Sequence, residues 1–227
     1  MSSNTAKTID AGMANEEGFS DDLKPGTRLL GDQYVITKFL NSGGFGITYL
    51  ATDSLDRTVV VKECFPEAYC RRSNNTVRLR SRAHESAFSI VLDAFVSEAR
   101  AQAKLVHPNI VSVQQVFNDN ETAYMAMDYV DGTDLLDKIN STEKLDPKDV
   151  EHWLRRVLDA IGYVHEGGVL HRDISPDNIL VGPSNEPVLI DFGAAREEDP
   201  SSERVLSTMR VIKDGYSPQE FYVAGST

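Results

Sequence analysis

The sequence predicts an α+β protein in two parts, an antiparallel sheet with one main helix followed by a mostly helical part. Three observations point there. From Tyr34 to Cys64, runs rich in β-branched residues follow one another between turn residues. Residues 86–105 then carry apolar side chains at helical spacing. After an Asp131-Gly132 connector the periodicity is helical as far as Gly167-Gly168.

In order along the chain, residues 1–26 are polar, acidic and rich in small residues, too poor in apolar surface to fold, and are expected to be a disordered tail ending at Pro25-Gly26. YVITKFL (34–40), ITYLATD (47–53) and TVVVKEC (58–64) read as a meander of strands. The helix at 86–105 presents Phe88, Val91, Leu92, Phe95 and Val96, extended by Ala99, Ala103 and Leu105, and His107-Pro108 ends it. Residues 110–116 and 122–128 are two further strands. LLDKI forms a short helix. A longer one starts at Pro147 with Asp146 as N-cap and Asp149 in its first turn. Val150, Trp153, Leu154, Val157, Leu158, Ile161 and Val164 mark its apolar face, and Gly167-Gly168 stops it. NILV and PVLI are short strands around a turn. The parts divide near residues 130–133, into 27–130 and 131–227, with a ligand cleft expected between them.

Bulk properties narrow the function. The chain has 227 residues and a net charge of −12, so it lacks the basic excess needed to coat nucleic acid. Its two cysteines, Cys64 and Cys70, form no zinc-type spacing and suit a reducing cytosol. No apolar run reaches the roughly 18 residues that span a bilayer, and the N-terminus lacks the order of a signal peptide. A cytoplasmic protein without a membrane segment is expected.

Three segments carry chemistry. Leu40-Asn41-Ser42-Gly43-Gly44-Phe45-Gly46-Ile47-Thr48 lies between two strands, which rules against a dinucleotide-binding fold, whose glycines open a helix. Glycines here let backbone N–H groups approach phosphate oxygens, although a glycine-rich hairpin is more often only a turn. Lys62 closes the third strand. It is placed to reach phosphates, and a buried cation there needs an anion. Glu98, near Val96 and Ala99 on the helix, is the candidate. The strongest signal is HRDISPDNIL (171–180) followed by LIDFG (189–193). Chance explains any one of these residues but not the ordered set. Phosphoryl transfer needs a carboxylate at the acceptor hydroxyl, oxygen ligands for magnesium, and cationic charge on the phosphates; these two segments supply the first two.

With GGFGITYLATD, KECFPEAYC, HRDISPDNIL and LIDFG in hand, residues 34–227 resemble the eukaryotic-like protein kinase family, in its bacterial serine/threonine form. The resemblance implies a bilobal fold, with an antiparallel N-lobe and a mostly helical C-lobe left incomplete at Thr227. It implies ATP with Mg²⁺ or Mn²⁺, and a protein substrate. Asp173 would be the catalytic base, Asn178 and Asp191 would hold the metal, Lys62 would pair the phosphates and Glu98 would clamp Lys62. Leu40, Asn41, Gly43, Gly44, Phe45 and Gly46 would cover the phosphates. Met127 would be the gatekeeper, Asp128 to Val130 the hinge, and Thr48, Val60 and Leu180 the walls around adenine. The activation segment would run over 191–220 and close with Ser217-Pro218-Gln219-Glu220. Arg172 would meet a phosphate on Ser201, Ser202, Ser207 or Thr208.

This sequence departs from the family pattern at informative places. Asn41 replaces the first glycine. Ser175 stands where serine/threonine kinases carry a lysine, and Lys213 stands where they carry a threonine, so cation and hydroxyl are exchanged. Lys213 is therefore a candidate source of the missing charge at the γ-phosphate. An insert between Lys62 and Glu98 holds Arg71, Arg72, Arg78, Arg80 and Arg82. These suit an acidic partner or the chain's own acidic tail; a solvated hairpin is the plainer reading. Besides an active kinase, the residues leave open a nucleotide-binding scaffold or inactive fragment, and a small-molecule phosphotransferase.

Overall fold

The computed structural model describes residues 21–44, 46–141, 144–171, 173–191 and 216, and the statements below concern those residues. A six-stranded antiparallel sheet forms the first lobe. Its strands are β1 (Arg28–Leu29), β2 (Tyr34–Gly43), β3 (Gly46–Asp53), β4 (Thr58–Cys64), β7 (Val113–Asp119) and β8 (Thr122–Asp128), in the order β1-β2-β3-β4-β8-β7. Between β4 and β7 lie a separate hairpin, β5 (Cys70–Ser73) with β6 (Thr76–Leu79), and the helix α1 (Glu85–Gln102). The second part contains β9 (Thr133–Asp134), α2 (Leu135–Asn140), α3 (Pro147–Glu166), β10 (Ile179–Val181) and β11 (Pro187–Leu189); the three strands form a small sheet in the order β11-β10-β9.

The alternation of β4 decides what each face of the large sheet does. Val59, Val61 and Glu63 point to the outer face and are fully buried. They join a core of Tyr34, Tyr49, Phe65, Phe117, Tyr124, Leu23 and Leu29, with Phe117 stacked between Tyr34 and Tyr124 at 5.3 Å on each side. The other face, with Val60 and Cys64, packs Met125 and Met127 against Val91, Phe95 and Ala99 of α1. A third core joins Val157, Ala160 and Val164 of α3 to Leu105, Ile110, Ile179 and Leu189, and ties the two parts together.

The connector between the parts depends on close backbone approach. A Cβ on Gly182 would lie 2.6 Å from the Asp131 carbonyl oxygen, and one on Gly132 would lie 2.9 Å from Val181. Only glycine fits at that separation. The strand pairs Leu180↔Asp134 and Val181↔Thr133 then hold the connector beside β10.

Four details differ from the sequence expectation. Helix α1 stops at Gln102, because Leu105 turns back through its N–H to the Gln102 carbonyl and enters the third core. Strand β7 starts at Val113, since Val111 donates to Leu189 and Leu189 donates to Asn109, committing that backbone to β11. On α3 the buried stripe is Trp153, Val157, Ala160 and Val164, whereas Val150, Leu154 and Leu158 are exposed. Asp21 to Gly26, assigned to the tail by composition, are described, and Leu23 is buried in the outer-face core. The Asp146 N-cap on α3 is as expected, its carboxylate accepting from Lys148 N–H.

Both cysteines are buried free thiols. Burial pushes the Cys70 thiol up to about 12 and raises Cys64 as well. At pH 8 neither is expected to react with iodoacetamide until the chain unfolds, as alkylation with and without urea will show. The folded state holds these protons more tightly than the unfolded state does. Stability from them is full below pH 9, the ordinary thiol value, and falls as pH rises toward 12. Urea denaturation from pH 7 upward is expected to show that loss beginning near pH 9. Among the described residues no helix is long and apolar enough to cross a membrane.

Candidate functional site

The site is assembled where β4, the β2–β3 hairpin, α1 and the loop after α3 converge. Strand β2 meets β3 through the pair Gly43↔Gly46, which closes the glycine-rich turn. The return strand pairs Thr48 with Lys62, which sets Lys62 beside the turn. Gly46 is sterically required: a Cβ there would lie 2.1 Å from the Glu63 carbonyl oxygen. Asn41 sits in the ladder opposite Thr48, and Leu40, Asn41, Gly43 and Gly44 are exposed.

Lys62 lies on the α1-facing side of β4, with its side chain only 12% exposed. Its Nζ donates to Asp191 Oδ1 at 2.5 Å. Burial disfavours the ammonium, but the charges of Asp191, then Glu98, then Asp173 outweigh it and raise the Lys62 pKa. Lys62 is therefore a cation throughout the neutral range. Asp191 is an ion-pair partner of Lys62, and the charge of Glu98 on α1 also favours the ammonium. Asp191 reaches Lys62 from a left-handed backbone conformation, φ 52°, an uncommon one for a residue with a side chain.

The loop after α3 orders a second pair. Asn178 Nδ2 donates to the Asp173 backbone oxygen at 2.8 Å and to Asp173 Oδ2 at 2.9 Å. Asn178 itself is buried in a 3-10 turn, Pro176–Asn178. Its N–H donates to the Ser175 carbonyl, and its carbonyl accepts from Ile190 N–H, the residue before Asp191. One short network thus links the base candidate, the amide and the second carboxylate. Asp173 N–H donates to His171 Nδ1 at 3.3 Å, and His171 and Ser175 are buried.

The predicted adenine-side residues fall on the large sheet, the connector and the small sheet. Val60 pairs with Met127 across β4 and β8, Leu180 lies on β10, and Val130 packs against the core under α1. Asp128 is exposed and accepts from Gln114 Nε2 at 2.5 Å, while its N–H is committed to the Ser112 carbonyl. Phe45, Arg172, Lys213, the candidate phosphosites and Ser217 to Glu220 lie outside the described residues.

The donor set fits a hard divalent cation. Asp191 offers carboxylate oxygens, and with Nδ2 of Asn178 engaged by Asp173, its Oδ1 is the amide atom suited to a metal. Among the described residues no group of three His, Cys, Asp or Glu could hold a metal unaided. Two protein oxygens, completed by phosphate and water, match the way magnesium is usually held.

Sequence reasoning missed Glu63. It is fully buried and accepts from Tyr49 OH and Tyr124 OH, each at 2.8 Å, and from Arg72 at 2.6 Å. The period-two pattern of TVVVKEC, with Val59, Val61 and Glu63 on one face, was the available signal.

Residues 34–224 match the family described as the protein kinase domain. That match covers most of the chain, and the chain belongs to the protein kinase family. Within it, the serine/threonine-protein kinase PknD of Chlamydia felis is 30% identical over 185 residues, which are 77% of this chain and 18% of the relative. PknD of Chlamydia trachomatis serovar D is 32% identical over 174 residues, 72% of this chain and 17% of the relative. PknD of Chlamydia pneumoniae is 31% identical over 201 residues, 80% and 20%. The chain thus spans about a fifth of the length of these relatives. A solved structure described as the PpkA-294 apo form superimposes with a TM-score of 0.77 at 35% identity, covering 89% of this chain and 72% of that one.

Proposed function

We propose that this chain transfers the γ-phosphate of ATP to a serine or threonine hydroxyl of a protein. The observation that supports this most is the joining of two pairs, Lys62–Asp191 and Asp173–Asn178, beside the glycine-rich turn. In this reading Lys62 holds the phosphates, and the segment from Leu40 to Gly46, Phe45 included, covers them. Thr48, Val60, Met127, Asp128, Val130 and Leu180 surround the base. Asp173 accepts the hydroxyl proton, oriented by the Asn178 amide. Asn178 and Asp191 would hold magnesium, for which manganese can substitute, and the metal supplies charge neutralisation at the phosphates.

Residues 27–130 and 131–227 serve as the two lobes. Lys213 provides the cation absent at Ser175, and a phosphate in the segment after Asp191 pairs with Arg172. A cytoplasmic setting agrees with two free thiols. The insert retains Arg71, Arg78 and Arg82 on its exposed side for an acidic partner, since Arg72 and Arg80 already contact Asp21.

Incubation with labelled ATP, Mg²⁺ and casein tests the proposal. Label is expected in the chain or in casein with the parent, none with Lys62→Met, and less with Lys213→Ala. Thermal stabilisation by nucleotide with no label from the parent would mean a binding module instead. An undiminished rate in Lys213→Ala would remove that residue from the site.

A further inference from the structure

The Glu63 network joins parts of the chain that are far apart in sequence. Its carboxylate takes one hydroxyl from β3, Tyr49, and one from β8, Tyr124, the two strands that flank β4 in the sheet. Arg72, from the β5–β6 hairpin, donates the third hydrogen bond. The Arg72 side chain is 6% exposed and lies over the Phe65 ring, its guanidinium carbon 4.8 Å from the centroid. Every nitrogen of its guanidinium has a partner: NH2 on Glu63, NH1 on the Asn75 carbonyl, Nε on the Asp21 carbonyl. The Arg72 N–H adds a bond to Asp21 Oδ1 at 2.8 Å. Leu23 N–H then donates to Tyr49 OH at 3.0 Å. Asp21, Arg72, Glu63, Tyr49 and Leu23 are joined in a chain of hydrogen bonds on the outer face of the sheet, which the backbone from Asp21 to Leu23 closes into a ring.

That ring stands directly behind the phosphate end of the site. Glu63 follows Lys62 in the chain and points to the opposite face of the same strand. The Glu63 carbonyl is also the atom against which Gly46 packs. Both elements assigned to the phosphates, the lysine and the end of the glycine-rich turn, therefore rest on Glu63.

We infer that the buried Glu63–Arg72 pair, latched by Asp21 and Leu23, positions Lys62 and Gly46 for the nucleotide phosphates from the far side of the sheet. Arg72 and Glu63 are positioning residues here, since neither reaches the cleft. A buried pair of this kind is costly to desolvate and is often replaceable by apolar residues, so stability alone gives little reason to keep it. A role in geometry does. The inference rests on the proposed nucleotide site.

Its test separates phosphate contacts from the rest of that site. The parent, Arg72→Gln, Arg72→Lys, the double variant Glu63→Gln/Arg72→Gln and Tyr49→Phe are titrated with Mg-ATP and, separately, with adenosine. The double variant leaves no buried charge alone, and Tyr49→Phe removes one hydroxyl from the ring without changing its shape. For the double variant ATP affinity is expected to fall about tenfold, equivalent to about 1.4 kcal/mol, with adenosine affinity unchanged. Arg72→Lys should recover part of the loss, and Tyr49→Phe should show a smaller loss of the same kind. Equal weakening of ATP and adenosine, or unchanged ATP affinity in folded double and Tyr49→Phe variants, would overturn the inference. A parent that binds no ATP would instead overturn the proposed function.

Discussion

Asp173→Asn is expected to slow phosphoryl transfer by about two to four orders of magnitude, the usual worth of a positioned base, and to leave ATP binding within a few-fold of the parent. The asymmetry follows from the geometry. An asparagine side chain has the shape of aspartate and keeps an oxygen to accept from Asn178 Nδ2, so the loop holds. The backbone bond from the same nitrogen to the Asp173 carbonyl is untouched. What disappears is the carboxylate proposed to take the hydroxyl proton. Steady-state rates with casein, beside an ATP titration, read both quantities. A variant that retains most of the parent's rate would remove Asp173 from the base role and weaken the kinase reading as a whole.

Gly46→Ala is expected to lose about 1–3 kcal/mol or more of stability, the range for overpacking a filled site, and to weaken nucleotide binding in whatever fraction folds. Its Cβ would lie 2.1 Å from the Glu63 carbonyl oxygen, a backbone atom that no side-chain rotation can clear. Either β3 or β4 must shift, and β4 carries Lys62. Gly43→Ala is the internal control. Among the described residues nothing lies within 4 Å of its Cβ position, so its effect should stay within about 0.5 kcal/mol. Urea denaturation of the two variants reads the difference. Equal stabilities would mean that the tight contact at Gly46 is not present in solution.

Much of the fold was legible because it rests on local rules. TVVVKEC is the strand β4 from Thr58 to Cys64. Asp146 and Pro147 start α3, and Gly167 ends it. Asp173 and Asp191, one from each of the two strongest motifs, are linked through Asn178 and Ile190. Where the reading failed, a distant partner had decided. On α3, Leu154 is more apolar than Ala160, yet Ala160 is buried and Leu154 is 57% exposed, because only one side of the helix meets β11 and the strands beside it. Arg72 was one of five arginines for which a solvated hairpin was the plainer reading and the chain's own acidic tail an alternative; its bonds to Asp21 agree with the alternative. It lies instead under the sheet, because Glu63, nine residues away, waits there between two tyrosines. Asp21 and Leu23 looked like tail and are part of that same ring.

The sequence by itself determined the family, most of the order of strands and helices, and the candidate residues of the proposed phosphate site. Those follow from periods of 2 and 3.6, from cap and turn residues, and from motif order, all of which act within a few residues. The tertiary structure decided which charges meet. It brought Lys62 to Asp191 across 129 positions, set the Glu98 charge to act on the same lysine, and placed a buried Glu63–Arg72 pair behind them. Ion pairing depends on distance and burial in three dimensions, and neither is encoded in spacing along the chain.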